Sequence, residues 1–314
     1  MITSSMRFGL AILFGLILVF CKTSETAVTG LASPDKKETR SLLWKVEGKE
    51  VHTSYVFGTI HLIHQDDYFF TGDMDKAFQA CQVLALEFDL EEAMDLSSQM
   101  QLFQQAFMRN DTTLKDLLSK EDYSTVEDHF QKMGIPIFFL ERVKPMFLTI
   151  FSSEDLFGGG GLQIDELKSY ELELLEKANI SDKPVEGLET MEYQISIFDS
   201  IPYQVQADML IESIIAPDDN GASLDTLIHY YKMQDLQKLD QLINAETTTS
   251  QYRPVLLDNR NRNWIPVMEE LMDNESTFFA VGAGHLLGEV GILRLLQAKG
   301  YQVTPVNSAE DGSH

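Results

Sequence analysis

Two histidines, His61 and His285, complete the same short phrase at opposite ends of the chain. The first is Tyr55-Val56-Phe57-Gly58-Thr59-Ile60-His61-Leu62, and the second is Phe279-Ala280-Val281-Gly282-Ala283-Gly284-His285-Leu286. A neutral imidazole offers a ring nitrogen to a divalent metal. Glu87, near the end of the apolar run Val83-Leu84-Ala85-Leu86, could add a carboxylate. Two His and one Glu leave positions open for water, which a bound metal turns into a nucleophile near neutral pH. The same residues also suit a metal-free scheme, with His61 or His285 as general base oriented by Glu87 or Glu189. The spacing does not separate the two chemistries.

The elements around these residues explain why they should meet. Each histidine follows an apolar, strand-like run that ends in Gly, a residue that accepts backbone angles side chains forbid. Three residues past such a strand is the outer rim of an open α/β sheet, where such folds carry their chemistry. One Gly-x-x-His would mean little. Two in matching contexts point to a shared site.

Arg260 lies in a helical stretch, Val255 to Leu271, and could bind a carboxylate or steady an oxyanion. Its plainer alternative is a salt bridge with nearby Asp258. Glu189 ends the strand-like Lys183 to Glu189 and is either a supporting residue of the site or a cap for the helix from Met191. Asn261 joins Glu189 as a residue of substrate contact or support. Arg262 falls on a different helix face and reads as surface. His52, His129 and His229 read as exposed or packed, and His64 as a poor partner for His61. Gly158 to Gly161 reads as a hinge, because no phosphate-loop pattern follows.

The rest of the chain reads as a split α/β domain. Leu42 to Val46 and Thr53 to Phe57 form a hairpin, and Met74 to Cys81 is a helix. Val83 to Asp89 is a buried strand, completing a strand-helix-strand opening. Thr277 to Val281, Gly288 to Ala298 and Tyr301 to Pro305 repeat strand, helix and strand at the end. Between them the pattern is mostly helical. The expected architecture is a mixed-sheet core from residues 41–90 and 250–309, with a helical insertion at 91–249 acting as a cap.

The 314 residues carry a formal net charge of −25, which repels nucleic acid and excludes it as a partner. Residues 1–20 read as a signal peptide, because the uncharged run Phe8 to Phe20 is short for a membrane span. Cys21 follows, then a linker to residue 40. Leu18-Val19-Phe20-Cys21 is similar to a lipoprotein cleavage site, although Phe20 is larger than the usual residue there. The expectation is an exported protein, periplasmic or at the cell surface, attached to the membrane through its N-terminus. Cys81 is the other cysteine, so no disulfide framework is expected.

Several of these phrases, in this order, resemble the TraB/GumN family from about Leu43 to Val306. They are Gly58-Thr59-Ile60-His61, Leu86-Glu87-Phe88-Asp89, Lys144-Pro145, Gly187-Leu188-Glu189-Thr190, Arg260-Asn261 with Trp264, and Gly282-Ala283-Gly284-His285 with Gly288-Glu289. One departure is Ser169-Tyr170-Glu171, where the family has Gly-x-Asp; it leaves the role of Glu171 open. The resemblance implies a metal-dependent peptidase, as in the Tiki branch, with His61, Glu87 and His285 on manganese, cobalt or zinc. A peptide or small molecule would be its substrate. The wider group also implies two alternatives: a metal-free His/Glu esterase, and a non-catalytic protein that binds haem or peptide.

Overall fold

The computed structural model describes residues 40–90, 96–151, 167–215, 224–245 and 251–306. The signal run, Cys21, the linker and the four-glycine stretch lie outside the described residues. Among the described residues, no helix is long and apolar enough to cross a membrane.

The strands are β1 (Leu43–Glu47), β2 (Ser54–Thr59), β3 (Ile63–His64), β4 (Val83–Phe88), β5 (Leu167–Lys168), β6 (Val185–Glu189), β7 (Thr277–Gly282) and β8 (Gln302–Pro305). Six of them form one mixed sheet in the order β6-β4-β7-β2-β1-β8, and β3 pairs with β5. β6, β4, β7 and β2 run parallel, whereas β1 is antiparallel to both β2 and β8. The expected hairpin is therefore β1–β2. The opening strand-helix-strand unit is β2, helix α1 (Gly72–Ala80) and β4, with β7 lying between its two strands.

The central strands are near-continuous apolar runs, as in a parallel sheet covered on both faces. Every residue of β4 and β7 is buried. Glu87 in β4 is a charge placed inside this core, and such a group persists only if fully paired.

The middle of the chain is mainly helical. It contains α2 (Leu96–Gln105), α3 (Leu114–Leu117), α4 (Lys120–Lys132), α5 (Pro145–Phe151), α6 (Tyr170–Ile180), α7 (Met191–Phe198), α8 (Tyr203–Ile215), α9 (Leu224–Lys232) and α10 (Leu236–Ala245). Part of it has its own small core of Met108, Leu114, Val126, Phe130, Ile137, Leu148 and Leu210. The middle also gives the main sheet its edge strand, β6, so insertion and sheet share residues. The chain returns to the sheet through α11 (Asn259–Asn274), β7, α12 (Ile292–Ala298) and β8. A π-helical turn, Pro254–Asp258, precedes α11, with the Asn259 N–H donating to the Pro254 carbonyl. The one extra residue of such a turn resets which side chains face inward, and π-turns often stand at functional sites. Here Arg260, Asn261, Trp264, Ile265, Met268 and Met272 are the buried side of α11.

Candidate functional site

Four parallel strands bring their carboxyl ends to one rim. Thr59 closes β2, Glu87 stands one residue from the end of β4, Glu189 closes β6 and Gly282 closes β7. His61 lies two residues past β2, and His285 closes a short 3-10 turn, Ala283–His285, directly after β7. Thr59 and Gly282 are paired across β2 and β7, so the two Gly-x-x-His phrases are neighbours in register.

The glycines of those phrases act through space rather than backbone angle. Gly282 has an ordinary φ of −52°, and neither it nor Gly58 is among the positive-φ residues. A Cβ on Gly58 would lie 3.1 Å from Leu286 and 3.2 Å from Ala283 Cα. A Cβ on Gly282 would lie 3.3 Å from Glu87 Oε1, 3.4 Å from His61 Nε2 and 3.7 Å from His285 Cδ2. Glycine at 282 thus lets three functional side chains converge over one point. The backbone freedom expected from sequence is not what these positions use.

Both histidines are oriented through Nδ1. His61 Nδ1 donates to Glu171 Oε1 at 2.9 Å, and Glu171 also accepts from Thr59 Oγ1 at 2.8 Å and Ser169 Oγ at 2.9 Å. His285 Nδ1 donates to Asn261 Oδ1 at 2.6 Å. The Asn261 amide cannot be turned round, because its Nδ2 donates to the carbonyls of His285 and Val290 at 3.2 and 2.8 Å. Each ring therefore carries its proton on Nδ1 and presents Nε2 as a lone pair. His61 Nε2 hydrogen-bonds to none of the described residues. His285 Nε2 accepts from Arg260 Nη1 at 3.1 Å.

Arg260 is the hub. Its Nη2 donates to Glu87 Oε2 at 2.6 Å and to Glu189 Oε1 at 2.7 Å, and its Nε donates to Glu189 Oε1 at 2.9 Å. Its Nη1 donates to His285 Nε2 and, at 3.3 Å, to the Leu256 carbonyl. A guanidinium has five N–H donors, and here all five have protein partners. Arg260 is 2% exposed, so it positions these groups and keeps no donor for a substrate. Asp258 pairs with Arg253 instead. Trp264 completes the wall: its indole N–H donates to Glu189 Oε2 at 2.8 Å, and its ring lies 4.4 Å from the His285 ring.

This charge arrangement sets the protonation states. Burial alone would raise the Glu87 carboxyl, but the Arg260 guanidinium beside it holds it well below the usual range. The Gly282 N–H at 2.9 Å and Gln194 Nε2 at 3.3 Å serve the same carboxylate. Burial and the Arg260 charge together push His285 well below its ordinary value, so it stays neutral. Burial also opposes a charge on His61, yet the Glu171 carboxylate outweighs it and raises His61. One ring is thus kept from protonation while the other is made more basic.

A divalent ion suits this donor set by its chemistry: two imidazole Nε2 lone pairs and an ionised carboxylate, with Nδ1 of each ring tied to an acceptor as metal-binding histidines require. Among the described residues, however, no group of three His, Cys, Asp or Glu stands ready to hold one. His61 Nε2 and Glu87 Oε1 face the point over Gly282. His285 Nε2 is 3.8 Å from Glu87 Oε1 and engaged by Arg260.

The structure therefore brings together His61, Glu87, His285, Arg260, Asn261 and Glu189. Sequence reasoning did not place Glu171, Gln194 or Trp264 in the site; for Glu171 the signal was its acidic match to a family motif. His64 pairs in β3 away from the cluster, and Arg262 is exposed. Cys81 is buried, which pushes its thiol up to about 12 and leaves it unreactive.

Comparisons with known proteins identify the family. The model described as the TraB/PrgY/gumN family matches residues 42–305. Metalloprotease TIKI2 of Danio rerio is 24% identical over 324 residues, covering 85% of this chain and 61% of its own length. Metalloprotease TIKI1 of Homo sapiens is 22% identical over 327 residues, covering 86% and 63% respectively. The chain thus spans under two thirds of these relatives' length. No solved structure matches it.

Proposed function

Since the chain belongs to the TraB/PrgY/gumN family, we propose that it is a hydrolase of the peptidase type whose water-activating centre is the point over Gly282. One observation carries this reading. His61 Nε2 and Glu87 Oε1 lie within 3.4 Å of a single position, each oriented from behind by its own partners. The relatives named as metalloproteases support a metal-dependent reaction, with manganese, cobalt or zinc as candidate ions. His61 and Glu87 would hold the ion, with His285 as the third ligand. When bound, a divalent ion lowers the pKa of water and polarises a substrate carbonyl.

The chain's own residues supply the rest. Glu171 fixes the His61 ring with Nε2 toward Glu87, and Asn261 does the same for His285. Arg260 keeps Glu87 ionised and its oxygens in place, with Glu189 balancing the guanidinium. His61 is 19% exposed while Glu87 and His285 are buried, so substrate reaches the centre from the His61 side.

A second reading has its own support. With His285 engaged by Arg260, His61 and Glu171 form a base with its orienting carboxylate, which would take a proton from water without metal. Metal analysis of purified protein and peptide-library cleavage with and without chelator separate the two. Activity lost to chelator and restored by one added ion favours the first, and full activity in metal-free protein favours the second. Capture of a peptide or haem without turnover would overturn both. From the apolar run 8–20 and Cys21 we further propose that the protein works outside the cytoplasm, at a membrane surface.

A further inference from the structure

The hydrogen bond from Arg260 to His285 bears directly on how the proposed ion would enter. His285 has one lone pair on Nε2, because Asn261 fixes its proton on Nδ1. A lone pair accepting a hydrogen bond at 3.1 Å cannot bind an ion at the same time. Arg260 also holds Glu87 Oε2 at 2.6 Å, leaving Oε1 for other partners. Both contacts come from one buried side chain that Glu189 and Trp264 hold in place.

We propose that Arg260 is a competitor for the metal site: its Nη1–H and a divalent ion contend for His285 Nε2, so the resting centre binds an ion through His61 and Glu87 alone. His285 becomes a ligand only when the guanidinium releases it. This rests on the metal-dependent reading and sharpens it, because a two-ligand resting centre binds its ion weakly. It also gives the two histidines unequal parts, although their sequence phrases match.

The experiment is calorimetric titration of metal-free protein with Mn2+ or Zn2+ alone, without turnover. His61→Ala should lose binding, whereas His285→Ala should weaken it by less than about threefold. Arg260→Lys removes the fork that reaches His285 but keeps a charge between the carboxylates. It should tighten binding about tenfold, roughly 1.4 kcal/mol, and adding His285→Ala to it should erase that gain. The His285→Ala arm leaves Arg260 intact, so the inference stays open to test even if Arg260→Lys does not fold. Equal losses for His61→Ala and His285→Ala in the otherwise unchanged chain would overturn the competition while leaving the metal reading in place. Binding by neither the unchanged chain nor Arg260→Lys would remove the metal reading and this inference with it.

Discussion

Asn261 Oδ1 accepts the Nδ1–H of His285 at 2.6 Å, and two backbone carbonyls prevent the amide from flipping. The contact decides which nitrogen of a buried imidazole is chemically available. Asn261→Asp would replace a neutral acceptor with a carboxylate, favour imidazolium and remove the Nε2 lone pair. Activity should fall at least about tenfold while the fold persists. An NMR titration should show the His285 ring becoming protonated at higher pH than in the unchanged protein.

Arg260 offers a stability test. Arg260→Met leaves two buried carboxylates, Glu87 and Glu189, without their counter-charge. Breaking a buried ion pair by removing one partner costs about 3–5 kcal/mol. Adding Glu189→Gln takes away one of the stranded charges, so the double variant should be more stable than Arg260→Met alone. Urea unfolding of the variants measures both effects.

The pH dependence of metal-free protein should separate the histidines. Glu171 raises His61 above its ordinary value of 6.5, a shift that adds stability below about pH 6.5. That contribution is lost as pH rises through the folded-state pKa. His285 is shifted the other way, so it costs stability as pH falls below about 6.5, where the unfolded ring charges and the folded one does not. Glu171→Gln keeps a hydrogen-bond acceptor for Nδ1 but removes the charge. Denaturation between about pH 5 and 9 should show the His61 contribution vanish in that variant while the His285 slope remains.

Gly282→Ala tests whether the point over Gly282 is where chemistry happens. Its φ of −52° suits alanine, and the contacts of 3.3 and 3.4 Å fall on side-chain atoms rather than backbone. The melting temperature should stay within about 5 °C of the unchanged protein. Turnover should fall by about a hundredfold or more, because the methyl group would fill the proposed water-activating point. Gly58→Ala presses on the backbone at Ala283 instead and should cost about 1–3 kcal/mol.

Much of the frame was legible because it rests on local pattern. The runs before Gly58 and Gly282 are apolar throughout, so they read as central strands, and the residues after them fall at the sheet rim. Glu87 was legible as a carboxylate near the end of a buried strand. Other parts depend on contacts between distant segments. Glu171 reaches His61 across 110 positions of sequence, and nothing around Ser169 shows that destination. Sequence offers Arg260 as a residue to bind a carboxylate or steady an oxyanion; only the meeting of Glu87, Glu189, His285 and Leu256 around it shows that its donors are all used. Gly282 was rightly singled out for the wrong reason, since its need for space arises from side chains that distant segments bring over it, Glu87 on β4 and His61 past the end of β2.

The position of β7 governs when this protein can exist as a folded body. β2 and β4 do not touch in the sheet; β7 lies between them and pairs with both. During synthesis the first half of the sheet must wait for a strand made more than two hundred residues later than β2. Until Thr277–Gly282 emerges, two strands keep unpaired edges, and exposed edges invite wrong partners. The nascent chain therefore spends most of its synthesis with its aggregation-prone strands unsealed, and a message cut short before β7 yields a chain that cannot close its sheet.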